Sequence, residues 1–245
     1  MSAREIERAT IRTWPAAVTE TRHGWSCLAA GGVTGRVNAC WPLDWNGDDA
    51  DAAIDDVERW YAARGLPPRF KLTDGAFAPP QLPDLLAQRG YQRTTPTLIM
   101  VAPLQGFSRD AEVSLSAEMP AAFDAVLRAT VKDEAEYDER RNIALRPPAP
   151  AAYAMLARNG AVDAIGMTAA TGDLAGVFLM RTAPHARRQG FARRILRTLL
   201  ADAAARGVST AFLQVEADNA SAIALYESEG FARLSEYAFW RKPTP

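Results

Sequence analysis

The feature that most constrains this chain is an internal repeat. The stretch "AARGLPPRFKL", Ala62 to Leu72, returns as "AARGVSTAFLQ", Ala204 to Gln214. Each closes an amphipathic helix at Arg-Gly, where glycine serves the left-handed cap that ends helices. Each then enters an apolar strand through Phe70 or Phe212. A second correspondence follows, "LLAQRGYQR" (Leu85 to Arg93) against "LYESEGFAR" (Leu225 to Arg233), and both copies run into an aromatic-led strand, "TPTLIMVAP" and "SEYAFWRKP". Gly65 and Gly207 lie 142 residues apart, and Gly90 and Gly230 lie 140 apart. So small a slip marks two related halves, each alternating helix and strand, and therefore an α/β chain. The segment "PLQGFSRDAE", Pro103 to Glu112, has glycine, proline and charge without periodicity and is the best boundary. The expected division is 1–105 and 106–245.

Length and charge narrow the function classes. The 245 residues suit one large or two small domains. A net charge of −1 supplies no basic field, so neither nucleic acid nor a membrane is an expected partner. No apolar run approaches the roughly 20 residues that span a bilayer. The opening "MSAREIERATIRTW" lacks a signal-peptide core, and a cytoplasmic protein is expected. Cys27 and Cys40 flank "AAGGVTGR", which reads as a hairpin turn; they either face each other across two strands or stay free thiols, as a reducing compartment favours. His23 and His185 are isolated from any ligand spacing, so no metal site is expected.

In the second half, the pattern predicts a strand over Glu112–Ser116 and a helix over Pro120–Thr130. A charged segment (Lys132 to Arg141), a proline-rich turn "LRPPAPAA" and a strand pair joined by Asn159-Gly160 come next. Then "AGVFLMRTA" reads as a buried strand, "GFARRILRTLLADAAARG" as a helix, and "STAFLQVEA" as another strand. In that helix Ala192, Ile195, Leu196, Leu199 and Ala203 form the inward stripe.

Five arginines, Arg187, Arg188, Arg193, Arg194 and Arg197, crowd the start of this helix. A helix N-terminus is partially positive, so cations gathered there are unfavourable unless an anion joins them. Strand, glycine-bearing loop, helix start is the arrangement that offers free backbone N–H groups to phosphate. Gly190 permits close backbone approach and Ala192 leaves room beside it. The competing reading is an exposed face solvated by good helix formers.

The pattern Arg/Gln-x-x-Gly-x-Gly/Ala after an apolar strand and Pro184 resembles the acetyl-CoA signature of the GNAT (GCN5-related) N-acetyltransferases. "VEADNASAIALYESEGF" continues the resemblance through Asn219, Ala222, Leu225, Tyr226, Gly230 and Phe231, which match the family's Asn-x-x-Ala-x-x-Leu-Tyr-x-x-x-Gly-Phe. It covers roughly Glu112 to Lys242, and the whole looks similar to tandem GNAT proteins, two related halves with mixed central sheets. The resemblance implies a splayed strand before the phosphate loop and a pantetheine arm lying in the gap. Met180, Arg181 and Thr182 would then bond the arm through backbone groups. Arg187, Arg188, Gln189, Gly190, Phe191 and Ala192 would surround the pyrophosphate, and Asn219 would touch acetyl-CoA or fix its turn. Tyr226 would protonate the departing thiolate, and Glu216 would serve as base or orient a water for the acceptor amine. Without the family, Asn219 is an ordinary helix N-cap, Tyr226 a core residue and Glu216 a solvated strand-end acid. The run Asp133, Glu134, Glu136, Asp138 and Glu139 reads first as a solvated face, and second as a lure for a cationic amine.

The first half departs from the pattern. Its long helix follows "PLDWNGDDADAAIDD", where Asp48, Asp49 and Asp51 would repel phosphate, and Leu86 stands where Tyr226 does. It reads as a degenerate copy that supports the second half or shapes its acceptor cleft. The expected activity is acetyl transfer from acetyl-CoA to a primary amine of unspecified identity, by a monomer or homodimer without metal. A non-catalytic acyl-CoA-binding regulatory module is the alternative, and a protein-binding platform a weaker third.

Overall fold

The computed structural model describes residues 1–147, 150–158 and 160–243. Pro148 and Ala149 of the predicted proline-rich turn and Asn159 of the predicted hairpin lie outside the described residues. The first half runs α1 (Ala3–Thr13), β1 (Val18–Arg22), β2 (Trp25–Ala29), β3 (Cys40–Trp41), α2 (Ala50–Ala62), β4 (Arg69–Thr73), α3 (Leu82–Gln88) and β5 (Gln92–Pro103). The second runs β6 (Val113–Ser116), α4 (Ala121–Thr130), α5 (Glu134–Ala144), β7 (Ala151–Arg158), β8 (Ala161–Thr171), β9 (Leu174–Thr182), α6 (Phe191–Ala205), β10 (Thr210–Glu216), α7 (Ala220–Ser228) and β11 (Ala232–Arg241). From α5 onward the second half repeats the first, helix for helix and strand for strand. The charged segment left unassigned by pattern is α5, started by the Asp133 side chain accepting from the Glu136 N–H at 2.8 Å.

All strands join one mixed, 11-stranded sheet in the order β1-β2-β3-β4-β11-β5-β10-β9-β8-β7-β6. The order is symmetric about the β11–β5 pair, and it shows an exchange. β5 closes the second half's sheet, pairing antiparallel with β10 from Thr210–Pro103 to Glu216–Thr97. β11 closes the first half's sheet against β4, from Tyr237–Thr73 to Arg241–Arg69. Each half thus completes the other.

Helices cross the seam as well. Trp14, after α1, stacks on Phe178 of β9 with ring centroids 4.7 Å apart, and Ile6 and Ala9 share a buried cluster with Ile165 and Met167. Glu7 of α1 accepts from Lys71 and Thr73 of β4 and, at 3.3 Å, from Gln214 of β10. Lys71 lies between the rings of Trp41 and Tyr237, 3.8 and 3.7 Å from their centroids, and burial pulls its pKa down to about 8. A buried charge pair of this kind tolerates removal of neither partner. It ties α1 to both halves at the edge of the site.

Candidate functional site

β9 and β10 begin as parallel neighbours at Leu174–Thr210, Ala175–Ala211 and Gly176–Phe212, and then part. The parting has a local cause. Between the Ile165–Arg181 and Met167–Phe178 pairs the β8–β9 register shifts, and Leu179 takes a left-handed φ of 52°. Such bulges bend a strand and re-aim its edge, at an energetic cost often found at functional sites. A cavity of about 300 Å³ fills the gap, walled by Val177 to Arg181, Leu213 to Glu216, and Asn219, Ala222 and Tyr226 from α7. A second cavity of about 310 Å³ adjoins it, and the two share Trp14, Arg36, Arg140, Gln214 and Glu216. Its remaining wall includes Val33, Thr34 and Gly35 from the first half and Thr97, Tyr237 and Phe239 from the exchanged strands. A larger cavity of about 570 Å³ beside α1 holds none of the predicted residues.

The loop at the head of α6 presents a row of unused donors. Arg188 and Gly190 take left-handed φ values of 63° and 80°, and Gly190 is an N-cap with no side-chain cap bond. The Arg187 N–H reaches the Pro184 carbonyl, and the Arg194 N–H closes the first helical bond to Gly190. Among the described residues, the N–H groups of Arg188, Gln189, Gly190, Phe191, Ala192 and Arg193 have no acceptor. Consecutive free donors at a helix N-terminus suit a pyrophosphate. A Cβ on Gly190 would point into open space, so the glycine requirement there comes from φ.

The arginine cluster needs correction. Arg194 is held by Asp110 at 2.6 Å and Glu112 at 2.5 Å, and Arg193 and Arg197 reach Glu229 at 2.8 and 3.3 Å. Those three brace α6 to the linker and to α7, and phosphate is not what compensates them. Exposed Arg187 and Arg188 remain beside the free donors. Gln189 spends its amide on the His185 carbonyl at 3.1 Å, and Phe191 is buried under the Arg158 guanidinium, 4.1 Å from its centroid.

Tyr226 lines the gap from α7, its residue 8% exposed. Burial pushes its phenol above the ordinary tyrosine value, partly offset by Arg181. Such a phenol holds its proton more firmly than a free tyrosine does. Asn219 fixes the turn: its side chain accepts from the Ala222 N–H at 3.2 Å while the residue lines the gap. Glu216 ends β10 exposed, on the wall shared by both cavities. Met180 and Arg181 line the gap from β9, and half-buried Thr182 follows them at its end.

The acidic run on α5 is not a solvated face throughout. Glu139 is buried and accepts from the N–H groups of Val33 and Thr34 and from Asn38 at 2.8 Å, while Glu136 holds Arg140 at 2.6 Å. Its acids thus anchor the first half's loop and set an arginine in the cleft. Sequence reading missed Trp14, Arg36, Arg140 and Gln214. The one available signal was the glycine-rich "AAGGVTGR", which read only as a turn. That turn does join antiparallel strands, and Cys27 and Cys40 face each other across them as buried free thiols.

Parallel strands that part above a glycine-led helix start are the arrangement the GNAT resemblance implies, and comparison with known proteins places the chain among the GNAT N-acetyltransferases. It belongs to the family described as "Probable histone acetyltransferase Rv0428c C-terminal", matched over residues 2–239. It is 25% identical over 243 residues to the "Uncharacterized N-acetyltransferase YobR" of Bacillus subtilis (strain 168), covering 96% of this chain and 97% of that protein. Over 76 residues it is 43% identical to the ribosomal protein bS18-alanine N-acetyltransferase of Escherichia coli (strain K12), covering 31% of this chain and 51% of that enzyme. A GCN5-related N-acetyltransferase from Kribbella flavida shares the fold with a TM-score of 0.72 at 16% identity, over 100% of this chain and 97% of the other. A tandem GNAT protein from the clavulanic acid biosynthesis pathway does so at 0.60 and 14%, over 79% and 70%.

Proposed function

We propose that the chain transfers an acetyl group from acetyl-CoA to a primary amine, at one site in the second half (106–245), with the first half (1–105) as a degenerate copy that builds the acceptor wall. The row of free N–H groups at α6 is the observation that carries this reading. Arg188 to Ala192 would hold the pyrophosphate through backbone donors, with Arg187 and Arg188 adding charge at the rim. The β9 edge at Met180, Arg181 and Thr182 would bond the pantetheine arm. A β9 N–H there would also stabilise the thioester oxygen as charge develops on it. The acceptor amine, entering through the adjoining cavity, loses its proton toward Glu216 and attacks the thioester carbonyl carbon. As the carbon–sulfur bond breaks, Tyr226 gives its proton to the sulfur. Its raised pKa keeps that proton available across the ordinary pH range.

Titration calorimetry with acetyl-CoA tests the reading. One site per chain is expected, and thiol release on adding an amine panel separates an enzyme from a module that only binds. Two equivalent sites would overturn the degenerate first half, and no binding would overturn the whole reading.

A further inference from the structure

Arg36 sits where the two cavities meet, on the loop between β2 and β3. Its guanidinium makes no ion pair or side-chain hydrogen bond among the described residues, and it stands 5.7 Å from the centroid of the Trp14 ring. Arg36 is half-buried, and a cation withdrawn even in part from water without a close anion is costly. Arg140 nearby has Glu136, whereas Arg36 feels Glu7 and Glu216 only from beyond ion-pair distance. Burial lowers its pKa, as it does that of Arg181 in the gap wall.

The loop holding Arg36 is fixed from several sides. Asn38 accepts from the N–H groups of Ala30 at 2.8 Å and Gly32 at 3.0 Å and donates to the Thr34 carbonyl at 2.8 Å. Glu139 takes the Val33 and Thr34 donors from across the seam. Gly35 lies so close to Phe239 that a Cβ would stand 2.6 Å from its ring. A guanidinium on a rigid support, unpaired and facing a cleft, is prepared for a planar anion that can take two of its donors, and a carboxylate fits that geometry.

Three further side chains in the wall have unmet capacity: Arg181, whose Nε is buried without a partner, Gln214 and Thr34. Gln214 gives its amide N–H groups to Glu7 and Thr10, at 3.3 and 3.2 Å, which leaves its carbonyl oxygen buried without a partner. Thr34 Oγ1 is likewise without one. Buried orphans of this kind call for an explanation, and an ammonium N–H supplies a donor to either oxygen. The charges point the same way: Arg36, Arg140, Arg181 and Lys132 line the two cavities against Glu136 and Glu216. A lysine-rich segment would add repulsion there. A cavity of about 310 Å³ also lies at the small end of the small-molecule range.

We propose that the acceptor is a carboxylate-bearing amine, an amino acid or close analogue, whose carboxylate is held by Arg36 while its amine meets Gln214 and Glu216 at the mouth of the gap. This rests on the acetyltransferase reading above. The test measures acetyl transfer from acetyl-CoA to the proteinogenic L-amino acids, each against its carboxamide, and to a lysine-rich peptide. The wild type should favour a free acid over its carboxamide by about tenfold or more in kcat/KM, the scale of a charged hydrogen-bonded contact. In Arg36→Gln that preference should vanish through a raised acceptor KM, while the KM for acetyl-CoA stays put. Arg36→Lys should restore part of it. Acids and carboxamides used equally well by the wild type, a preference for the peptide, or no acid turned over by a protein that binds acetyl-CoA would each overturn the proposal. Failure to bind acetyl-CoA at all would instead sink the reading beneath it.

Discussion

The helix starts of α2 and α6 occupy equivalent places in the two halves, and they end in opposite chemistry. At α2 the Asp49 carboxylate accepts from the N–H groups of Asp51 and Ala52, at 2.9 and 3.1 Å. Arg89 then binds Asp51 at 2.9 Å and Asp55 at 2.5 Å. The donors are filled from within and a phosphate would meet carboxylates. At α6 the cap is glycine and the donors are empty. The gaps differ too. In the first half the Ala78 N–H bonds to the Pro42 carbonyl at 2.8 Å, and the Trp25 indole donates to the Ala78 carbonyl at 2.8 Å. That stitches together the segments following β3 and β4. Buried Leu86 replaces Tyr226. One capping carboxylate and a stitched gap set the first half's equivalent backbone apart from the second's, and the first half places Arg36 in the wall of its partner's gap.

The sharpest test of the contrast is the residue that has no working counterpart. Tyr226→Phe keeps the ring and its packing against Phe231, 5.9 Å away by centroids, so fold and acetyl-CoA affinity should hold. The turnover number should fall on the order of 10²–10⁴-fold, the usual contribution of a general acid. The loss should sit in kcat and spare the KM for acetyl-CoA, because the contact strengthens only as sulfur gains charge. Because burial raises this phenol, the group keeps its proton to higher pH than a free tyrosine, whose pKa is about 10. The alkaline fall in rate should accordingly lie above that value. Turnover close to that of the wild type would make Tyr226 as structural as Leu86.

Gly190 comes next. Its φ of 80° lies where a β-branched residue is strained, while its missing Cβ faces empty space. Gly190→Val should therefore deform the donor row without disturbing the core. Acetyl-CoA should bind at least about tenfold more weakly, roughly 1.4 kcal/mol, with native circular dichroism. Gly190→Ala should lose less. Full affinity in the valine variant would mean that the phosphates lie elsewhere and that the two helix starts differ less than their caps indicate.

Much of this contrast was legible in the sequence, because it resides in short local patterns. Gly190, Asn219 and Tyr226 stand out because their spacing resembles the GNAT motifs, and Asp49 by its place before α2. The repeat likewise exposed two halves. What pattern could not show was pairing at long range: β5 and β11 read as strands, but nothing local says that each closes the other half's sheet. Arg36 shares that difficulty. Its loop reads as a turn, and only the exchange brings it, with α5 and Trp14, to the mouth of the second half's gap. The partners of Arg193, Arg194 and Arg197 were hidden for the same reason, since Glu229, Asp110 and Glu112 meet them only in the folded chain.

The smallest expected effect tests whether the first half's cap alone keeps acetyl-CoA away. Asp49→Ala removes the carboxylate that fills the α2 donors, and losing such a cap costs about 0.5–2 kcal/mol of stability. In a chain of this size that lowers the melting temperature by roughly 2–4 °C per kcal/mol. Acetyl-CoA affinity at the α6 helix start should stay within about twofold, roughly 0.4 kcal/mol, because the strands that lead into the two helices lie on opposite sides of the β11–β5 pair. Calorimetry should still count one site. The freed donors of α2 would remain beside Asp48 and Asp51, and the gap beneath them would still be closed by the bond from Ala78 to Pro42. A second acetyl-CoA site in this variant would show that one carboxylate was all that silenced the first half. An unchanged melting temperature would show that Asp49 stabilises nothing there, and would leave the stitched gap as the difference between the halves.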